Sequence, residues 1–516
     1  MSQRVSSQSM NFFNDKPKQP NDLKAQSLDK DLKRLNQLES ATRTVGTSVY
    51  ALGMGLLFLV GVWVFTFIYS GGHASGVLIA AAVIGGYMAL NIGANDVANN
   101  VGPAVGSKAL SMAGALAIAA VFEAAGALIA GGEVVSTVSK GIISANSLTD
   151  VDTFVWAMMA ALLSAALWVN LATYLNAPVS TTHSIVGGVM GAGIAAAGLG
   201  AVNWPVMSAI AASWIVSPVM GGVIAALFLI FIKGAILFRK DKIAAARKWV
   251  PVLVAIMSSV FAVYLMIKGL KRIWHPGMPT IILIALAIFA VSFFWSRKSV
   301  AKAAVGMENK RKSVAKLFTL PLICSAALLS FAHGSNDVAN AVGPLAAIVS
   351  AVDLGAVSAK APLPFWVLMI GAVGISVGLA LFGPKIIRLV GEKITKLNQV
   401  RAFCVALSAA ITVIIASGLG LPVSSTHIAI GAVFGVGFVR EAITNRGGGS
   451  AEGQPINPQE LRAIDEGKLF KSWRKHRKRK LVRRQHMLSI AAAWVVTVPA
   501  SALLAAMLYW LITHLT

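Results

Sequence analysis

The chain has 516 residues, of which 56% are hydrophobic and 13% charged, with a mean hydropathy of +0.73; this excludes an ordinary set of soluble domains and points to a membrane protein. Lys and Arg number 45 against 20 Asp and Glu, a formal net charge of +25, which suits a nucleic-acid partner, an anionic surface or orientation signals beside membrane spans. Position decides among these: 42 of the 45 basic residues fall between apolar stretches, so no nucleic-acid partner is expected and the charge reads as orientation.

Residues 1–46 form a polar tail, expected in the cytoplasm and without a cleavable signal, in which Leu28, Leu32, Leu35 and Leu38 recur at helical spacing. A span needs roughly 20 apolar residues. Candidates follow near 47–70, 76–105, 109–131, 154–176, 178–198, 205–237, 249–269, 279–296, 317–350, 363–384, 403–421, 422–439 and 488–514, about 12–13 membrane segments. Segments 76–105 and 317–350 contain Asn-Asp runs with Gly and Pro, which predict broken helices. Segments 178–198 and 422–439 follow their predecessors almost without connection and read either as spans or as re-entrant hairpins. With the tail inside, loops 233–249, 297–316, 385–401 and 440–487 also fall inside, as the positive-inside rule requires. The stretch KSWRKHRKRKLVRR at 471–484 suits anionic lipid headgroups, or simple retention of the loop. Cys324 and Cys404 sit in apolar segments and read as packing residues.

Self-comparison exposes a duplication. Gly93–Pro103 reads GANDVANNVGP and Gly334–Pro344 reads GSNDVANAVGP; Pro178–Gly193 reads PVSTTHSIVGGVMGAG and Pro422–Gly437 reads PVSSTHIAIGAVFGVG. A weaker third pair begins at Trp214 and Trp494. In the expected topology the copies point in opposite directions. The fold class is therefore an all-α polytopic membrane protein of two inverted repeats with broken or re-entrant helices, the architecture of secondary transporters. Residues 47–70 add an N-terminal transmembrane helix, 76–237 form repeat 1, 238–316 carry central spans and basic loops, and 317–514 form repeat 2 with loop 440–487 inserted.

An Asp in a spanning segment costs about 2.5–3.5 kcal/mol on insertion scales, so Asp96 and Asp337, at equivalent positions, need a compensating partner. Asn95, Asp96, Asn99, Asn336, Asp337 and Asn340 offer oxygen ligands for a hard coupling cation, or else hydrogen bonds for broken helix ends. The Ser-Thr motifs read as helix N-termini, whose amides and hydroxyls attract an oxyanion; Ser180, Thr181, Thr182, Ser424, Ser425 and Thr426 are the candidate donors, with ordinary capping as the other reading. His183 and His427 read as packing residues, with proton coupling as the alternative. Glu123 is a membrane carboxylate without a counterpart at the repeat offset and a functional candidate by default. No P-loop or nucleophile-base constellation suggests an enzyme.

These four motifs resemble the signature of the inorganic phosphate transporter family of cation-coupled symporters, over roughly residues 76–514. The resemblance implies uptake of inorganic phosphate driven by a sodium or proton gradient, with Asp96 and Asp337 coordinating cation and phosphate and the hydroxyls of both motifs on phosphate. Glu123 resembles a functionally important glutamate of the family, and Ala406 stands where many animal members carry a second one. No cofactor is implied, and no metal beyond a sodium ion. A multi-pass protein of the cell (inner or plasma) membrane is expected, with phosphate, sodium or protons and membrane lipids as partners; a homo-oligomer stays open. The residues alone also fit a carrier of sulfate or arsenate, a channel or a phosphate sensor.

Overall fold

In lipid a chain must satisfy its backbone polar groups internally, which makes helices of long apolar runs. The computed structural model describes residues 49–73, 75–144, 147–148, 150–175, 179–269, 274–357, 363–393, 397–446 and 484–515, and apart from one β-bridge between Ile143 and Val202 it is helical. The expected tail helix, Pro178 and most of the inserted loop lie outside the described residues. The main helices are α1 (Val49–Tyr69), α2 (Gly76–Gly106), α3 (Met112–Ala130), α4 (Gly132–Ser136), α5 (Val151–Tyr174), α6 (Thr181–Ala197), α7 (Trp204–Ile232), α8 (Lys242–Tyr264), α9 (Met278–Ala303), α10 (Arg311–Leu317), α11 (Thr319–Leu354), α12 (Phe365–Lys393), α13 (Gln399–Gly418), α14 (Ser425–Arg446) and α15 (Arg484–Leu515). Contacts divide the chain into Met1–Leu56 and Leu57–Thr516. The described part of the first unit is the opening of α1; the second holds every other helix and both pairs of motifs.

Twelve described helices are long and apolar enough to cross a membrane. Of the thirteen expected spans the exception is 178–198, whose helix α6 has 17 residues, about 26 Å against a hydrocarbon core of roughly 30 Å. Segment 422–439 becomes α14, with 22 residues.

The expected breaks are elsewhere. α2 and α11 run unbroken through their Asn-Asp runs for 31 and 36 residues, with Pro103 and Pro344 inside. Their polar side chains find partners on other helices, so the backbone has no need to unwind. The interruptions fall just before the Ser-Thr motifs: the chain leaves α5 at Tyr174 and re-enters helix at Thr181, and leaves α13 at Gly418 and re-enters at Ser425. Both re-entry points are buried, so two helix N-termini open inside the protein.

Among the helix pairs that join the two copies are α2 with α12, α3 with α11, α6 with α15 and α7 with α14. Glycines let the backbones touch. A Cβ on Gly93 would collide with the Ile375 carbonyl, and one on Gly378 with that of Leu90; in the equivalent pair Gly334 meets Glu123 and Gly126 meets Phe331. In the same way Gly187 and Gly191 face Val498 and Ala502, as Gly431 and Gly435 face Pro218 and Gly222. The helices within each pair are parallel, since contacts advance together along both. Gly374 meets Ala89 and Gly383 meets Val97, Gly126 meets Phe331 and Gly131 meets Val338, and the last two pairs step from Gly187 to Gly191 and from Gly431 to Gly435 in the same sense. By contrast α2 and α11 run in opposite directions, since Asp96 approaches His333 while Gly85 packs on Leu345. α11 is central, with 83% of its most apolar window buried against 6% for α9.

Candidate transport site

Where α2 and α11 cross, Asp96 and Asp337 come together, each about 1% exposed. The two interior N-termini meet them. Thr181 Oγ1, in the first turn of α6, lies 3.0 Å from Asp96 Oδ2 and 3.4 Å from Asp337 Oδ2. In the first turn of α14, Thr426 Oγ1 donates to Asp96 Oδ1 at 3.1 Å and Ser425 Oγ approaches Asp337 Oδ2 at 3.5 Å. Asn99 donates to Thr426 Oγ1 at 2.7 Å, and Asn340 to Thr182 Oγ1 at 3.0 Å. Thr182 in turn donates to the carbonyl of Val423 at 3.0 Å, clipping one motif to the other. The site is thus assembled from two equivalent helices and two equivalent N-termini, with partners as far apart in sequence as Asp96 and Thr426.

The remaining candidates separate by role. Ser180 and Ser424 accept from the amides of His183 and His427 at 3.1 and 3.3 Å, which is the N-cap bond that starts each helix. Asn95 donates to Thr173 at the end of α5 (2.8 Å), while Asn336 donates to Ser417 and the Leu421 carbonyl (3.0 and 3.1 Å) and accepts from the Val423 amide (3.2 Å). This equivalent pair holds the segments that lead into the motifs. His183 and His427 pack edge to face with ring centroids 4.5 Å apart, and His183 lies 3.9 Å from the Trp214 ring.

Glu123 is fully buried and linked to the centre. Its Oε1 accepts from Asn100 at 2.7 Å, and its Oε2 lies 3.2 Å from His333 Nδ1. The other His333 nitrogen is 3.2 Å from Asp337 Oδ2 and 3.9 Å from Asp96 Oδ2. His333 is the residue of this cluster that is absent from the sequence candidates. Its signal is its position four residues before Asp337, on the same helix face, directly ahead of the duplicated motif. One ligand atom each from Asp96, His333 and Asp337 lie within 4.8 Å of one another, a focus the size of a cation. Three carboxylates share this buried volume with the His333 imidazole. An additional anion there faces strong repulsion unless cations arrive with it.

A sequence profile described as the phosphate transporter family matches residues 92–505. The chain belongs to this family. Among its relatives a Helicobacter pylori J99 protein that carries the provisional name phosphate permease is 45% identical, over 93% of this chain and 98% of the relative. A Pyrococcus abyssi protein with the same provisional name is 38% identical over 70% and 89%. A solved structure, named the sodium-dependent phosphate transporter, superposes with a TM-score of 0.74 at 33% identity, covering 86% of this chain and all of that one. With twelve candidate spans, this member of the phosphate transporter family is a multi-pass protein of a cell membrane. Its carboxylate pair, both Ser-Thr motifs and Glu123 all fall within the matched region.

Proposed function

We propose that the protein carries inorganic phosphate into the cell by alternating access, coupled to a sodium gradient. The observation that carries this reading is the convergence of Asp96 and Asp337 with hydroxyls from two buried helix N-termini, Thr181, Ser425 and Thr426. The N-termini and hydroxyls suit a tetrahedral oxyanion. The carboxylates suit hard cations, and the Asn99 and Asn340 amides donate to the hydroxyls beside them. A cation that neutralises the carboxylates makes phosphate binding favourable, and phosphate makes cation binding favourable in equal measure, because linkage is reciprocal.

Alternating access follows from the duplication. The equivalent helices α2 and α11 run in opposite directions and cross at the carboxylates, so we assign 76–237 and 317–514 as inverted repeats that rock about a site on their shared boundary. Sodium is supported by the sodium dependence named for the solved neighbour at 33% identity. Proton coupling is the second reading, favoured by the imidazole of His333 wedged between Glu123 and Asp337.

Reconstitution into liposomes tests both readings. Radiolabelled phosphate should accumulate against its own gradient when sodium alone is imposed, and a pH gradient alone should not drive it. Accumulation with a pH gradient only selects proton coupling. Downhill equilibration under either gradient, without accumulation, contradicts a symporter.

A further inference from the structure

A second feature lies on the flank of the molecule, between α7 and α14. These helices run parallel, with Gly222 against Gly431 and Gly435, and an open groove of about 780 Å³ follows their seam. That volume is typical of a ligand site, which spans roughly 300–1,000 Å³. Its walls include Trp214, Pro218, Val219, Phe434 and Phe438, and its deep end is His183. Val219, Val223 and Phe438 are 61%, 52% and 44% exposed, as expected where a helix faces acyl chains.

The other end of the seam is strongly basic. Arg440 directly follows Val439, a groove residue, and Lys233 lies seven residues beyond Ala226, about 10 Å further on and just past the end of α7. α13 packs on α7 and α14 and runs antiparallel to α7, with Thr412 beside Gly221 and Pro422 on Trp214, so Arg401 at its start lies toward the Lys233 end. α10, which opens with Arg311, packs on α13, and Lys233 feels the charge of all three arginines. Four elements thus bring four cations to one end of an apolar groove. The expected topology puts this end on the cytoplasmic side, at headgroup depth.

We propose that the α7–α14 groove is a binding site for one anionic phospholipid, with its phosphate on Lys233, Arg311, Arg401 and Arg440 and an acyl chain along Val219, Phe434 and Phe438 toward Trp214. Charge complementarity selects this occupant, because a zwitterionic lipid offers the cations no net charge and a second protein copy would need acidic residues at that one end. The chain end reaches a sensitive place: Trp214 Nε1 donates to the carbonyl of Pro422 at 3.1 Å, so the lipid lies against the side chain that holds the start of the second Ser-Thr motif.

Native mass spectrometry of the full-length protein, exchanged into detergent with equimolar phosphatidylglycerol and phosphatidylcholine, measures this. The wild type should retain one phosphatidylglycerol in preference to phosphatidylcholine, undisturbed by excess inorganic phosphate. A Lys233→Gln, Arg440→Gln double variant should bind it about thirtyfold more weakly. Val219→Trp, which fills the groove without touching the charges, should also lower retention, and Val223→Trp replaces it if that variant fails to fold. Equal retention of both lipids overturns the proposal, as does displacement by inorganic phosphate, which would mark a free-anion site. It also fails if Val219→Trp splits a dimer while lipid retention is unchanged, which would make the groove an interface between copies.

Discussion

The two halves of the molecule share their packing and differ in their chemistry. Around Gly334, α11 meets α3 and brings His333 to Glu123, with Asn100 completing the group. Around Gly93 the same backbone contact is made between α2 and α12. There the equivalent residues are Ile92 for His333, Ile375 for Glu123 and Ala341 for Asn100, all fully buried. One half therefore holds a carboxylate, an imidazole and an amide, and the other an apolar patch of the same geometry. Duplication supplies the scaffold and the pair Asp96 and Asp337. The single-copy residues make the site one-sided, and in the proposed mechanism that difference sets how cations are received.

Substitutions at the shared and unshared positions can break or sharpen this contrast. Asp96→Asn and Asp337→Asn each remove a charge that both halves rely on, and each should lower phosphate uptake in proteoliposomes by at least about thirtyfold while the helical circular dichroism is unchanged. Normal uptake in both variants would remove the carboxylates from the mechanism. Glu123→Gln should lower uptake about tenfold and alter its dependence on sodium or pH, since it removes a charge yet keeps a side chain that Asn100 can bond. At the equivalent apolar position, Ile375→Val should cost about 1 kcal/mol of stability and leave the cation dependence of uptake as it was; comparable transport defects at both positions would mean that the asymmetry is only structural.

Glycine variants probe the shared frame. Gly93→Ala and Gly334→Ala each force a methyl into a facing carbonyl, and both should destabilise by about 1–3 kcal/mol in thermal unfolding. Only Gly334→Ala displaces the backbone of Glu123, so it alone should also shift the cation dependence. The smallest effects belong to the tethers. Asn95→Ala and Asn336→Ala lose hydrogen bonds that hold the segments before the motifs, worth about 1 kcal/mol each, and are expected to raise the KM for phosphate severalfold with little change in protein yield.

Much of this was legible in the sequence because basic residues record topology directly. The directions they imply for α2, α3, α6, α7, α11, α12, α14 and α15 match the parallel and antiparallel contacts of the packed helices. The motifs also foretold Thr181, Ser425, Thr426, Asp96 and Asp337 as a group. The position of the helix breaks was not legible. Asn and Asp in an apolar run look like breakers when their partners are unknown, and those partners lie far off, as with Asn99 and Thr426. His333 is hidden by the duplication itself, since aligning the repeats sets it against Ile92 and the match stops at Gly334. At the repeat offset Glu123 falls opposite residue 364, because the spacing between copies changes from 241 to 252 residues between α11 and α12; only the contacts reveal Ile375 as its true counterpart.

In the proposed mechanism phosphate enters a carboxylate-lined site only in company with cations. Calorimetric titration of phosphate into the purified protein, repeated over a range of sodium concentrations and in buffers of different ionisation enthalpy, reads this directly. At least one sodium or proton should be taken up per phosphate bound, with affinity rising as that cation becomes more available, and the dependence should be lost in Asp96→Asn. Phosphate binding that takes up neither sodium nor protons, at an affinity indifferent to both, would contradict the account.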